Sequence, residues 1–401
     1  MDKATLQQYR QKYKSYLFDN VMPFWLKYGV DTQNGGVYTC VDRRGNLTST
    51  DKSVWFQGRF AWVNSYLCGV YGYNEAMHAA AKTCIDFMNA HCFDPADGRM
   101  FFTVTAEGKP LRKRRYFFSE TFYIIANAEY AAAFGDETAL ANARKYFDFV
   151  YGIYCDRSTD PYKITPKAFG DTRQTIAFAE PMILLNVSAV MRRCDPQNAE
   201  KYKKISKKLQ KEITEKFYHP EIKAVLESVA ADGSFEDHYS GGRVVNPGHS
   251  IEASWFLLDD ACYFGDASLM HIAENIFNWS MDWGWDTENG GLEYFKDVYG
   301  HPPETLEQDM KLWWPQCEVL IASIRLYEET GKEEYAEWFK KVDKYVFEKF
   351  ADPEFPEWYG YLHKDNSPLW PPCKGNSFKG PFHLPRMLAM VEQSLARLEQ
   401  K

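Results

Sequence analysis

Apolar residues recur at three- and four-residue spacing along most of the chain, in helix-length segments that come in pairs, such as 55–67 followed by 75–91. The junctions within pairs carry helix breakers, as at Tyr71-Gly72, Gly135-Asp136, Gly265-Asp266 and Thr330-Gly331-Lys332. Between pairs a turn-rich cluster led by Asp or His recurs six times. The clusters are DTQNGGVYTCVDRRGN, DPADGRMFFTVTAEGKP, DRSTDPYKITPKAFGD, HPEIKAVLESVAADGS, DTENGGLEYFKDVYGHP and DPEFPEWYGYLHKDNSP; they start at 31, 94, 156, 219, 286 and 352, at intervals of 63, 62, 63, 67 and 66 residues. A fixed period of this kind settles architecture before any local assignment. All but the cluster from Asp156 contain a short alternating or aromatic run closed by a Gly, Asp or Asn turn, which predicts a small β-hairpin in a long loop.

Six units of helix, hairpin loop and helix make twelve helices. The first of each unit is more charged than the second: 201–215 is rich in Lys and Glu, whereas 172–190 is apolar nearly all round. A helix apolar on every side belongs inside. The expected fold is therefore all-α, an (α/α)6 barrel forming one domain over 1–401, with the loops and the starts of the inner helices at one mouth. An open solenoid is the alternative, and it normally needs polar end caps.

Polar residues just after each loop then converge on the mouth. Trp55, Arg59 and Trp62 fall at i, i+4 and i+7 of the first inner helix. Tyr116, Glu120 and Tyr123 form a stripe in the second, and the third carries Arg173, Gln174 and Glu180. His249 and Glu252 open the fourth behind Asn246-Pro247-Gly248, Trp314 aligns with Glu318 in the fifth, and His383 with Arg386 in the sixth. A lone helical histidine is usually a structural residue. Charges on otherwise apolar helices are different, because burying one unpaired costs several kcal/mol against a total stability of about 5 to 15. Charge at one level on five inner helices implies a polar cavity.

Composition narrows the chemistry. Aromatics make up 16% of the chain, which suits both sugar-stacking walls and a large core. The net charge of −8 is spread out, and the basic stretches at 109–115 and 201–211 lie in or beside helical patterning, so nucleic acid is not an expected partner. No apolar run reaches the ~18 residues of a membrane span, and the first residues read as a charged amphipathic segment rather than a signal peptide. A cytosolic location is expected. Nine cysteines without a CxxC pair read as reduced thiols, with neither disulfides nor a metal site. Phosphate-loop, dinucleotide, HExxH and GxSxG motifs are all missing. A glycoside hydrolase using Glu120 or Glu252 with Glu318 stays open on these residues alone.

The stretches RRYFFSETFYIIA, GDTRQTIAFAEPMILLN, GRVVNPGHSIEASWFLL, MKLWWPQCEVLIA and FKGPFHLPRML resemble the N-acylglucosamine 2-epimerases, also known as renin-binding proteins, nearly end to end. The wider group includes cellobiose 2-epimerases and aldose-ketose isomerases. The resemblance implies an (α/α)6 barrel and epimerisation at carbon 2 of an amino sugar. His249 and His383 would be the acid/base pair and Arg59 the substrate-contacting arginine, which we assign to the carbonyl oxygen as a catalytic residue, with Glu252, Glu318 and Arg386 around the substrate. Trp55, Tyr116 and Trp314 would stack on it, and Glu120 and Arg173 are further substrate-contact candidates.

At 179–182 this chain reads AEPM where cellobiose epimerases and the isomerases carry a further pocket histidine, which favours the N-acylglucosamine branch. No cofactor or metal is implied. Some family members respond to ATP, for which no phosphate loop exists here. The expected partners are an amino sugar and a second copy of the chain. Other sugar epimerases or isomerases remain the functional alternative, as does a non-catalytic role of the kind the renin-binding name suggests, for which the residues give no support.

Overall fold

In the computed structural model, which describes residues 1–163 and 169–401, the helices in chain order are α1 (Lys3–Ser15), α2 (Met22–Tyr28), α3 (Val54–Tyr71), α4 (Glu75–His91), α5 (Phe118–Phe134), α6 (Glu137–Cys155), α7 (Ala179–Cys194), α8 (Ala199–Glu212), α9 (Pro247–Phe264), α10 (Ala267–Gly284), α11 (Trp313–Thr330), α12 (Glu333–Lys349) and α13 (His383–Leu398). A π-helical turn, Tyr16–Val21, joins α1 and α2 into the first outer helix. The inner layer is α3, α5, α7, α9, α11 and α13, and the other helices ring it as an (α/α)6 barrel. Burial follows the predicted division of labour: every residue of α11 from Trp313 to Ile324 is buried, whereas α8 buries one stripe through Tyr202, Ile205 and Leu209.

The four predicted breakers fall between an inner helix and the outer helix that follows, after α3, α5, α9 and α11. Gly265 and Gly331 end α9 and α11 in the left-handed conformation, and Asp266 then caps α10 through the Leu269 amide. Gly58 serves packing instead. A Cβ there would stand 2.6 Å from the Phe122 carbonyl oxygen, so its absence lets α3 and α5 approach backbone to backbone.

In the five clusters the chain doubles back at the cluster's start, through Val30 with Val37, Phe93 with Met100, His219 with Ala224, Trp285 with Leu292 and Ala351 with Trp358, of which only the His219 pairing extends to a second residue pair, Tyr218 with Val225. The cluster from Asp156 runs through 164–168, outside the described residues. The sequence reading missed the pairing between units. Lys52–Ser53 pairs with Thr103–Val104, Thr175–Ala177 with Ser228–Ala230, Val244–Val245 with Lys296–Asp297, Lys311–Leu312 with Tyr361–Leu362, and Val41–Asp42 with Cys373–Gly375, all antiparallel. Arg99 reaches Asp160 between the second and third units.

Buried lysines reinforce these links. Lys52 Nζ donates to Asp31 of its own loop and to the Ala106 carbonyl of the next, each at 2.7 Å. Lys311 joins Asp286 to the Lys364 carbonyl in the same way. Lys374 and Arg43 meet on Asp352, joining the last loop to the first. At the opposite end Glu129–Arg193, Asp259–Arg325 and Glu328–Arg397 ion pairs lie on the inner helices.

One helix boundary is corrected. The third inner helix begins at Ala179, because 175–177 is taken up in a strand, so Arg173 and Gln174 precede it.

Candidate active site

The starts of the inner helices surround a cavity of about 570 Å³ at the looped mouth, within the size range of small-molecule sites. Trp55 and Arg59 of α3 face it, as do Phe118 and Phe122 of α5. Met182, Ile183 and Asn186 give α7 a mainly apolar wall, while His249 and Glu252, Trp313 and Trp314, and His383 and Arg386 come from α9, α11 and α13. Tyr294 and Glu307, from the fifth loop, also face the space.

His249 lies in the first turn of α9, which is fixed by Pro247 and by the Asn246 side chain accepting from the His249 amide at 3.1 Å. Its Nδ1 donates to the Glu227 carboxylate at 3.0 Å. Burial disfavours the charged ring, but Glu227, helped by Glu252 and Glu318, outweighs it and raises the pKa above the ordinary histidine value. His383 is the first residue of α13 and donates from Nδ1 to Glu318 at 2.8 Å. Here burial prevails, and the Arg386 and Arg59 cations reinforce it, so the pKa falls well below the ordinary value. Each ring has its tautomer set by a carboxylate on Nδ1, leaving Nε2 without a hydrogen-bond partner among the described residues. One imidazole is biased towards the charged form, the other towards the neutral form.

Arg386 holds the acids together, its Nη2 donating to Glu252 and to Glu318 at 2.7 Å each. Glu318 also accepts from Trp255 Nε1 at 2.9 Å. Ligand atoms of Glu252, Glu318 and His383 lie within 4.8 Å of one another, a spacing that suits a metal ion. The Arg386 guanidinium already supplies the positive charge between the carboxylates, so the donor set fits a metal poorly. Arg59 differs from Arg386. It makes no ion pair among the described residues, its Nε is buried without a partner, and its guanidinium stacks on Phe122 at 4.1 Å and Phe382 at 4.9 Å. Burial, reinforced by Arg386 and opposed by Glu252, pushes its pKa down to about 9, which leaves it charged at neutral pH. An unpaired cation facing a cavity is suited to an oxygen that gains negative charge.

The family model described as N-acylglucosamine 2-epimerase (GlcNAc 2-epimerase) matches residues 36–378. The chain belongs to this epimerase family. N-acylglucosamine 2-epimerase of Rattus norvegicus is 35% identical over 100% of this chain and 95% of its own length. Cellobiose 2-epimerase of Ruminococcus albus is 26% identical over 94% of this chain and 96% of its own. The fold is shared with the solved cellobiose 2-epimerase of Bacillus thermoamylovorans, at a TM-score of 0.84, 19% identity, and coverage of 96% of this chain and 99% of that one.

Within this epimerase-family barrel, Trp55, Arg59, Tyr116, His249, Glu252, Trp314, His383 and Arg386 meet at the cavity. Glu318 stands behind it, bonded to His383 and Arg386. Two candidates lie elsewhere. Glu120 is fully buried and accepts from Arg99 Nε at 2.6 Å and from the Met100 amide at 2.8 Å, bracing the second loop. Its stripe with Tyr116 does not exist, because α5 starts at Phe118 and the cavity face is Phe118, Phe122 and Ile125. Arg173 sits ahead of α7 with its guanidinium 3.6 Å from the Tyr239 ring, away from the cavity. Glu227 went unread in the sequence. It is one carboxylate in a long loop, brought to His249 by the loop folding back on itself, its amide donating to Val244, with its carbonyl accepting from Phe178 of the neighbouring unit.

Proposed function

We propose that this protein interconverts N-acetylglucosamine and N-acetylmannosamine by removing and returning the proton at carbon 2 of the open-chain sugar. The observation that carries the reading is two imidazoles at one cavity, each held on Nδ1 by its own carboxylate, Glu227 for His249 and Glu318 for His383, with surroundings that bias His383 towards neutral and His249 towards charged. That proton becomes acidic only when the ring opens and an aldehyde stands at carbon 1. In the direction that starts from these states, His383 Nε2 takes the proton, negative charge spreads onto the carbonyl oxygen of the resulting enolate, and His249 Nε2 returns a proton to the opposite face. Arg59 is the donor for that oxygen. Trp55, Tyr116 and Trp314 supply stacking surfaces, and the apolar α7 wall around Met182 and Ile183 favours a substrate carrying an acetamido methyl.

The scheme needs no cofactor and no metal. A paired-carboxylate glycosidase reading is less favourable, since Glu252 and Glu318 are both held on the same Arg386 nitrogen. All nine cysteines are unpaired, which fits a reducing cytosol as the proposed working compartment; no helix among the described residues is long and apolar enough to cross a membrane. Homodimerisation is part of the proposal and is tested by light scattering.

The deciding experiment is a sugar panel in heavy water followed by proton NMR. Conversion of the acetamido sugar with deuterium at carbon 2 supports the reading, and a higher kcat/KM on glucose, mannose or cellobiose overturns the substrate assignment.

A further inference from the structure

His383 is the first residue of α13, and within the helix's first turn Arg386 Nη2 approaches its Nδ1 at 3.3 Å. The preceding residue, Phe382, makes no side-chain cap, and α12 ends far upstream at Lys349. The chain entering α13 is held from the side instead, by Lys379. This lysine is 1% exposed, and its ammonium donates to Glu357 Oε1 at 2.9 Å and to the Lys374 carbonyl at 2.7 Å. Its side chain runs tightly past Gly360, where a Cβ would lie 2.6 Å from Lys379 Cδ. Its ammonium stands 5.6 Å from the Trp313 ring, which in turn contacts the His383 imidazole.

The acceptor is equally constrained. Glu357 is 1% exposed and has φ +70°, a conformation that side chains rarely adopt. Its carboxylate also accepts from Trp25 Nε1 of α2 at 2.6 Å and from the Trp358 amide at 2.9 Å. A single buried ion pair thus ties the segment that delivers His383 to the first outer helix and passes beside a cavity wall. Residues held off their favoured geometry gather where position matters to chemistry.

We infer that Lys379, through its ion pair with Glu357, is a positioning residue that sets the placement of His383 for proton transfer. The inference rests on the reading of His383 as the base. Lys379→Met removes the charge and leaves Glu357 buried and unpaired, so the double variant Lys379→Met/Glu357→Gln, which neutralises both partners, accompanies it.

In whichever variant is folded by circular dichroism, kcat on the acetamido sugar is expected to fall by at least about tenfold, on the scale that small misplacements cost, with KM within about threefold of wild type. The 15N signals of the His383 ring and their titration are expected to shift. Wild-type kcat together with unchanged His383 signals overturns the inference, as does a rise in KM alone. Failure of both variants to fold also overturns it, since Lys379 is then a stability residue only. Because the imidazole signals are read without substrate, a wild-type enzyme that turns over no acetamido sugar sinks the functional reading while leaving this test intact.

Discussion

The Trp314 indole contacts both imidazoles, its ring centre 5.2 Å from His249 and 5.6 Å from His383. Two rings sharing one wall, yet paired with different carboxylates, can do separable jobs. Replacing either histidine by Asn is expected to cut epimerisation by at least ~10² to 10⁴. In heavy water each variant is expected to label carbon 2 of one epimer without inverting it, and the two variants should favour opposite sugars. Near wild-type rates in both variants defeat the two-base assignment.

The pH dependence follows from the opposed shifts. His383 must be neutral to accept a proton, and with its pKa below the ordinary value near 6.5 the acid limb of kcat/KM falls below that point. His249 must be charged to donate, and with its pKa above that value the alkaline limb lies higher. The imidazole pair holds one proton in either direction, so both directions should share the same bell, a result that initial rates from each sugar would check.

Glu227→Gln removes the charge that opposes burial at His249. The alkaline limb should move down in pH, with a loss of rate smaller than that of removing the imidazole. An unmoved limb means that Glu227 does not control this proton.

Exhaustive chelation is expected to leave turnover unchanged, because Arg386 already bridges Glu252 and Glu318. Activity lost to EDTA and restored by one metal contradicts the proton-transfer scheme.

The loop carboxylates predict acid sensitivity. Burial alone would raise the pKa of Asp286, but Lys311 and the amides of Glu288 and Asn289 outweigh it and hold the carboxyl below the usual range. A depressed folded pKa adds stability that is fully present above the unfolded value of about 3.9 and is lost as pH falls below it. Asp286→Asn leaves Lys311 buried without its anion, at a cost of about 3 to 5 kcal/mol. Thermal melts should show a lower Tm at neutral pH and a flatter fall of Tm below about pH 4.

Much of this molecule was legible in the chain. Helix periodicity, the breakers at Gly135, Gly265 and Gly331 and the six-fold loop spacing are local signals, and the barrel follows from them. His249, Glu252, His383 and Arg386 were legible because each opens an inner helix and points where its neighbours point. Glu120 misled because helical spacing was carried back through Tyr116 and Phe117 to residues before the helix begins. Arg173 misled because strand pairing with Ser228–Ala230 overrides the helical pattern of 172–178. Glu227 and Lys379 were invisible for one reason: their partners are set by contacts between units or across long loops, which leave no periodic trace.

The links at the mouth have a mechanical consequence. Lys52 and Lys311 each grip their own loop and the next one's, strand pairings join the loops between, and Arg43 on Asp352 returns the last loop to the first, so the rim is built as a hoop rather than a row of separate flaps. A hoop cannot yield at one point without slackening the points beside it. Admission of a sugar is therefore a collective property of the rim, and a cut at Asp286 would be felt at loops that never touch it.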